Sequence, residues 1–408
     1  MRRSLQSLRA EFPHSRRAVF FDHANFGPCP KCARRLLDEL AGKYQALDPN
    51  VDQESFALLA KIKRDFARLI GARSDEISFL TNTTMGINQV LLGLDLKPGE
   101  RILLPEVEFP ALVYPILYLA RKNCLQVEFL PCPGGFFSLG TLRQALARGK
   151  TALVATSWVQ YFNGYRYDAT ELAELCHRYG AFFLLDGTQG VGAVPLDVTE
   201  AGVDALACGG PKWLFCQTGS GFLYLSRQPV RKVTPPAIGW LSVDWGYAFG
   251  DLQRHDRPLY PDGRKFEWGT YPYYSLRLAQ AGLKLVKTAG VRRTFRHVRT
   301  LLDDLVDFLH ESPYTIASVL EPRHRSAILC FTGPRIAQLH RDLVEKHFRV
   351  SLREKSIRVS PHFYNTRQEM RRFIAAMRRF IELWDRNLPK ALGGRSPRRG
   401  RGICTQTP

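Results

Sequence analysis

Acidic residues are scarce: 38 Asp and Glu stand against 58 Lys and Arg in 408 residues, a formal charge of +20. Charge alone leaves a nucleic-acid or acidic-lipid partner open. The chain nevertheless lacks a basic helix with interleaved aromatics, metal-finger spacing and any RNA- or DNA-binding motif, so a basic nucleic-acid-binding protein is the weaker reading. Part of the excess lies at the ends, in Arg2, Arg3, Arg9, Arg16 and Arg17 and again in Arg395, Arg398, Arg399 and Arg401. Such arms are expected to be solvated. Long apolar runs are also missing, and with no stretch approaching about 18 such residues a membrane span is not expected.

A disulfide framework is lacking as well. Nine cysteines, an odd number, are scattered through apolar or strand-like surroundings such as those of Cys176, Cys208 and Cys330, which points to reduced thiols. Cys29 and Cys32 form a CxxC, but no second Cys or His pair follows at zinc-site spacing, and Pro28 and Pro30 make the stretch read as a loop. The first twenty residues carry one acid, Glu11, which superficially suits an organellar transit peptide. They lack the apolar core of roughly 7–15 residues that a secretory signal needs, and a cytoplasmic location is the default expectation.

From residue 51 to about 270, helix and buried strand alternate. Phe56, Leu59, Ile62, Phe66 and Leu69 form one helical stripe that stops at Gly71. Ile77-Ser78-Phe79-Leu80 then reads as a strand, Thr81 to Thr84 as a polar turn, and Ile87, Val90, Leu91 and Leu94 as a helix, the order of the first half of a βαβ unit. Arg101 to Leu104 and Thr151 to Ala155 read as further strands. Asp168 caps a helix with Glu171 three positions on and Gly180 past its end. Phe182-Phe183-Leu184-Leu185 is a continuous apolar run ending in Asp186, the pattern of a strand buried on both faces of a parallel sheet. An α/β domain with a mostly parallel sheet is expected over 51–271. It follows an N-terminal segment over 1–50 that packs near the active site. A smaller α+β domain of basic amphipathic helices with strands near Ser326–Phe331 and Ser356–Ser360 should occupy 272–390, and a disordered basic tail 391–408.

In open α/β sheets ligands collect at the carboxyl ends of the strands. Asp186 ends the most apolar strand and should face a cation. Lys212 sits in Cys208-Gly209-Gly210-Pro211-Lys212-Trp213-Leu214 between two strand-like segments. A lysine in a Gly-rich turn can approach a ligand closely, lose its proton if desolvated and form a Schiff base. Thr83-Thr84 opens a helix, where hydroxyls, free N–H groups and the dipole favour phosphate. Taken singly, the threonines are an ordinary N-cap, Asp186 a turn former and Lys212 a surface lysine. In order within one domain, they fit pyridoxal 5'-phosphate better than any other cofactor.

The chain resembles the class V aminotransferases of the pyridoxal-phosphate fold type I, a group that includes cysteine desulfurases, kynureninases and isopenicillin-N-epimerase-like enzymes. The likeness runs from about Phe12 to Phe380. It rests on Asp186-Gly187-Thr188-Gln189, on Gly209 to Leu214, on Phe266-Glu267-Trp268-Gly269-Thr270, on Ile357-Arg358-Val359-Ser360-Pro361-His362-Phe363-Tyr364-Asn365-Thr366, and on Phe12-Pro13 and Asp22-His23-Ala24. The resemblance implies that Lys212 forms the Schiff base and shuttles the substrate Cα proton, Asp186 keeps the pyridine nitrogen protonated and Gln189 donates to the phenolic oxygen. Phe109 would stack on the ring, Thr83 and Thr84 would hold the phosphate, and Thr270 would reach the phosphate of the other protomer in a homodimer. Arg358 would anchor the substrate carboxylate through paired hydrogen bonds. His23, Asn25, Gln160 and Tyr161 would be further pocket residues.

Departures narrow the activity. Pro211 and Phe109 stand where cysteine desulfurases commonly carry histidines, and no cysteine occurs between Cys330 and Arg358, where those enzymes need a mobile one. An L-amino-acid-processing enzyme of aminotransferase class V type is expected, with a C–S or other β-lyase, or an epimerase, as the alternative.

Overall fold

A computed structural model describes residues 4–246 and 251–386 of the chain. The expected tail over 391–408 lies outside the described residues. Seven strands form the main sheet: β1 (Ile77–Leu80), β2 (Arg101–Pro105), β3 (Gln126–Leu130), β4 (Thr151–Ser157), β5 (Phe182–Asp186), β6 (Ala205–Gly209) and β7 (Gly221–Leu225), in the order β1-β7-β6-β5-β4-β2-β3. Strands β2 to β6 run parallel. Strand β7 is antiparallel to both β6 and β1.

The inner strands are apolar throughout because both faces are covered. Leu104, Leu153, Ala155, Leu184, Ala205 and Leu223 pack into one cluster with Ile87, Val90 and Leu91 of α3 (Thr83–Gly93) and Leu112 and Ile116 of α4 (Pro110–Asn123). Their neighbours in sequence, Leu103, Val154, Phe183, Leu185, Leu206 and Phe222, point the other way. That second cluster includes Ile62 and Phe66 of α2 (Val51–Leu69) and Leu172 and Cys176 of α6 (Ala169–Arg178). A period of two between two apolar layers is what a sequence without polar alternation encodes. Helices α1 (Lys31–Gln45) and α5 (Leu139–Ala147) complete this half of the chain.

The expected caps of α6 are present. Asp168 accepts from the N–H groups of Thr170 and Glu171, and Gly180 follows the helix at φ 72°. The βαβ reading of residues 77–94 needs correction, however. Strand β1 lies at the sheet edge, paired with β7, so the strand that follows it in sequence is not its neighbour. Periodicity identifies a strand and a helix but carries no information on pairing partner.

After residue 272 come α7 (Tyr273–Ala289) and α8 (Val291–His310), then a four-stranded antiparallel sheet and two more helices. The sheet contains β8 (Thr315–Ile316), β9 (Leu329–Thr332), β10 (Ser351–Arg353) and β11 (Ser356–Val359), ordered β10-β11-β9-β8. Helices α9 (Ile336–Glu345) and α10 (Arg367–Arg386) are amphipathic. Sequence periodicity shows β9 and β11 but not β8 or the three-residue β10.

The N-terminal segment is tied down, and Arg9 is not the solvated arm residue its neighbours suggested. Its guanidinium bonds Glu369 Oε1 at 2.6 Å, the carbonyl of Tyr364 at 2.8 Å and that of Ser15 at 3.1 Å. Phe12 stacks on Tyr364 with centroids 4.0 Å apart, and Val19–Phe20 pairs in parallel with Phe348–Arg349. Among the described residues no helix is long and apolar enough to cross a membrane.

Candidate active site

The chain leaves β2, turns outward to β3 and returns on the far side of β2 to build β4, β5 and β6 in sequence. Such a reversal opens a crevice at the strand carboxyl ends. A cavity of about 490 Å³ lies there, lined among others by Thr83, Thr84, Phe109, Tyr161, Asp186, Gln189 and Lys212. Seven of the expected site residues, drawn from five separate stretches of chain, therefore meet in one place.

Burial dominates the electrostatics. Desolvation pulls the Lys212 amine down to about 8, with the carboxylate of Asp186 opposing the shift and Arg358 adding to it. Asp186 is buried at the end of β5, its Oδ1 accepting from the N–H of Thr188 at 2.8 Å. Burial raises its pKa; the hydrogen bonds from Thr188 and the charge of Lys212 hold it back. A lysine that gives up its proton readily and a buried carboxylate wanting a cationic partner thus share one cavity.

The lysine turn is held by close backbone packing. A Cβ on Gly27 would lie 2.3 Å from the carbonyl oxygen of Lys212, and one on Gly282 of α7 would lie 2.2 Å from that of Leu214. Phe215 and Gln217, two non-glycine residues in the same turn, have φ of 56° and 60°. Backbone of this kind persists only where surrounding contacts over-determine it. Here Cys216 N–H donates to the carbonyl of Gly210 at 2.9 Å, and Gln217 Nε2 donates to that of Gly27 at 3.1 Å.

Thr83 and Thr84 form the first turn of α3, whose cap is Asn82, its side chain accepting from Met85 N–H at 2.8 Å. Thr83 Oγ1 pairs with Thr188 Oγ1 at 2.8 Å, and a Cβ on Gly209 would intrude to 2.8 Å of the same hydroxyl. Free N–H groups, two hydroxyls and a cradle open only to glycine suit a phosphate group. Phe109, at the N-cap of α4, is 41% exposed; its ring centre lies 5.6 Å from Lys212 Nζ, and its edge meets Tyr161. Gln189 Nε2 donates to the carbonyl of Ala24 at 2.8 Å while its Oε1 accepts from Trp213 Nε1 at 3.0 Å, leaving one amide N–H uncommitted.

The remaining expected residues are placed differently. Arg358 is 2% exposed and stands behind the cavity wall, its Nη1 donating to the carbonyl of Tyr161 at 2.8 Å, with Asp22 at 3.7 Å and a buried Nε that has no partner. His23 is fully buried and does not line the cavity. Its Nδ1 bonds the carbonyl of Ser360 and its Nε2 the hydroxyl of Tyr364, each at 2.9 Å, and burial drives its pKa well below the usual histidine value. Asn25 is exposed and bonds Asp22 Oδ2 at 3.1 Å, outside the cavity wall. Gln160 is fully buried, its amide given to Glu108 at 2.7 Å rather than to the cavity. Thr270 is exposed and lines no part of the cavity.

Glu108 escaped the sequence reading. Its buried carboxylate accepts from Thr156 Oγ1 at 2.9 Å, Ser157 N–H at 2.7 Å, Ser157 Oγ at 2.6 Å and Gln160 Nε2 at 2.7 Å. It thereby bolts the ends of β2 and β4 together directly behind Phe109. A glutamate beside a proline and a phenylalanine gives no such signal in sequence, because these four donors lie some fifty residues away.

The aminotransferase class-V profile matches residues 31–373. The chain belongs to this family. Within the family it is 27% identical to the uncharacterized aminotransferase YcbU of Bacillus subtilis, over 85% of this chain and 89% of that one. It is 26% identical to a probable cysteine desulfurase of Methanothermobacter thermautotrophicus, over 90% and 95%. Among solved structures, the apo cysteine desulfurase of Thermococcus onnurineus NA1 superposes with a TM-score of 0.83 at 23% identity, covering 93% of this chain and 98% of that one. The cystine C-S lyase C-DES, solved with its product cysteine persulfide, superposes with a TM-score of 0.80 at 24% identity, covering 89% and 98%. At these identities the superpositions establish the fold, which is that of pyridoxal-phosphate fold type I. Class V membership makes the protein a pyridoxal 5'-phosphate-dependent enzyme, a transferase or lyase, and the cavity's own donor set fits that cofactor.

Proposed function

We propose that the protein acts on an L-amino acid, with Lys212 as the catalytic residue and transfer of the amino group as the outcome. The bound cofactor supplies an aldehyde for an amine to capture and a ring that takes up electrons from the substrate Cα. Lys212, held near neutrality by burial, supplies the amine and then carries the Cα proton. Asp186 holds the proton on the ring nitrogen. Thr83, Thr84 and the N-terminus of α3 would hold the phosphate, the free N–H of Gln189 would serve the phenolic oxygen, and Phe109 would cover the ring and limit its access to water. Arg358 anchors the substrate carboxylate, for which its unpartnered Nε is available once Tyr161 gives way. The observation that carries this reading is the meeting of Lys212, buried Asp186 and the N-terminus of α3 in one cavity.

A β-lyase is the second reading, and the hairpin before Arg358 favours it over a persulfide relay. Residues 351–357 contain no cysteine, and Cys330, paired across the sheet with Arg358, is buried with its thiol pKa pushed up to about 12. Elimination needs no such thiol. The assembly we take to be a cytoplasmic homodimer, with Thr270 of one copy reaching the phosphate of the other. Exposed Ile238 and Trp240 lie in the stretch leading to it.

Incubation with the cofactor should give a yellow protein bleached by borohydride, with the label on the Lys212 peptide and none in Lys212→Ala. A colourless wild type overturns the proposal. A panel of L-amino acids monitored for ketoacid, pyruvate and D-isomer then separates transfer, elimination and epimerisation.

A further inference from the structure

The strand pair that carries Arg358 presents a second guanidinium on the same face. In the β10–β11 register Ser351 lies opposite Arg358 and Arg353 opposite Ser356. Side chains alternate along a strand and directly paired residues share a face. Ser351, Arg353, Ser356 and Arg358 therefore project together, while Leu352 and Ile357 turn into the apolar core. The first face looks toward the cavity, since Arg358 bonds the backbone of Tyr161, a wall residue. Arg353 is the diagonal neighbour of Arg358 and, unlike it, is exposed.

Arg353 is also electrostatically available. Its hydrogen bond to Asn25 Oδ1 is long, 3.5 Å, and among the described residues no carboxylate forms an ion pair with it. It does not itself line the cavity, but its positive charge is felt at two lining residues, Lys212 and Tyr161, and at Arg358. The tip of the hairpin adds a second clue: Glu354 and Lys355 have φ of 44° and 61°. A two-residue turn with both φ positive is most easily made by Asn-Gly, yet charged side chains occupy it here.

We propose that Arg353 is a specificity residue that binds a second anionic group, a carboxylate or other oxyanion, at the side-chain end of an amino-acid substrate whose α-carboxylate is held by Arg358. This deepens the proposed function and rests on it. Arg353 supplies a guanidinium fork that pairs with an oxyanion, and neighbouring Glu354 repels the same group.

Calorimetry on the apo-protein with succinate and with propionate tests the pair of guanidiniums without any turnover. Succinate should bind the wild type about tenfold more tightly than propionate. Arg353→Ala should erase that difference, Arg353→Lys should keep part of it, and Glu354→Gln should widen it, opposite signs that a merely structural hairpin would not produce. In the cofactor-loaded enzyme, the ratio of kcat/KM for L-aspartate, L-cysteinesulfinate or O-phospho-L-serine to that for L-alanine should fall about tenfold in Arg353→Ala. Preference for any of the three identifies the oxyanion. Equal binding of succinate and propionate by the wild type, or a ratio unmoved in Arg353→Ala, overturns the inference. A wild type that takes up no cofactor overturns the parent reading instead, and the succinate measurement stands apart from it.

Discussion

Capture of an aldehyde by the apo-protein should follow a pH profile set by Lys212. With the amine near 8, about half of it is unprotonated at pH 8, against roughly one part in 300 for a lysine at the ordinary 10.5. Lys212 should then outpace a surface lysine by on the order of a hundredfold at that pH. The assay mixes apo-protein with pyridoxal, which lacks the phosphate and so leaves the Thr83–Thr84 cup out of the comparison. Samples are quenched with borohydride and the Lys212 peptide is quantified by mass spectrometry. The rate should climb with pH and level off above about 8. Asp186→Asn removes the influence that most opposes the downward shift, so the bend should move to lower pH. Linkage supplies an independent check on the sign. Between about 8 and 10.5 the unfolded chain holds the Lys212 proton and the folded chain does not, so through this group apo-protein stability rises with pH across that window. A capture rate that keeps rising to pH 10 without a bend would refute the desolvation on which the lysine's role depends.

Two substitutions probe the surroundings. Gly209→Ala places a methyl 2.8 Å from Thr83 Oγ1 and must displace the Thr83–Thr188 pair; cofactor affinity measured by fluorescence quenching should fall about tenfold or more. Unchanged affinity would mean that the cup does not hold the phosphate. Glu108→Gln turns an acceptor oxygen into a donor amide facing the donors of Ser157 and Gln160, and should cost about 2–4 kcal/mol, seen as a lower melting midpoint in apo-protein and holoenzyme alike. A melting midpoint equal to wild type would show that the bridge between the ends of β2 and β4 carries no net stability.

Local pattern determined a good deal of this protein. The apolar run ending in Asp186, the Gly-rich turn around Lys212 and the threonine pair at a helix start are each encoded within a few neighbouring residues, because burial on both faces, close backbone approach and helix initiation are local demands. Their order along one α/β stretch was enough to point to a phosphate-bearing aldehyde cofactor. Tertiary structure decided the rest. It set β1 against β7 instead of β2, turned Gln160 away from the cavity onto Glu108, enclosed His23 among Ser360 and Tyr364, and drew Arg9 into Glu369. Each of these joins groups far apart in the chain, and a hydrogen bond or ion pair across such a separation leaves no periodic trace in sequence. The same holds for Arg353 and Arg358: only the register of two short strands makes them neighbours on one face.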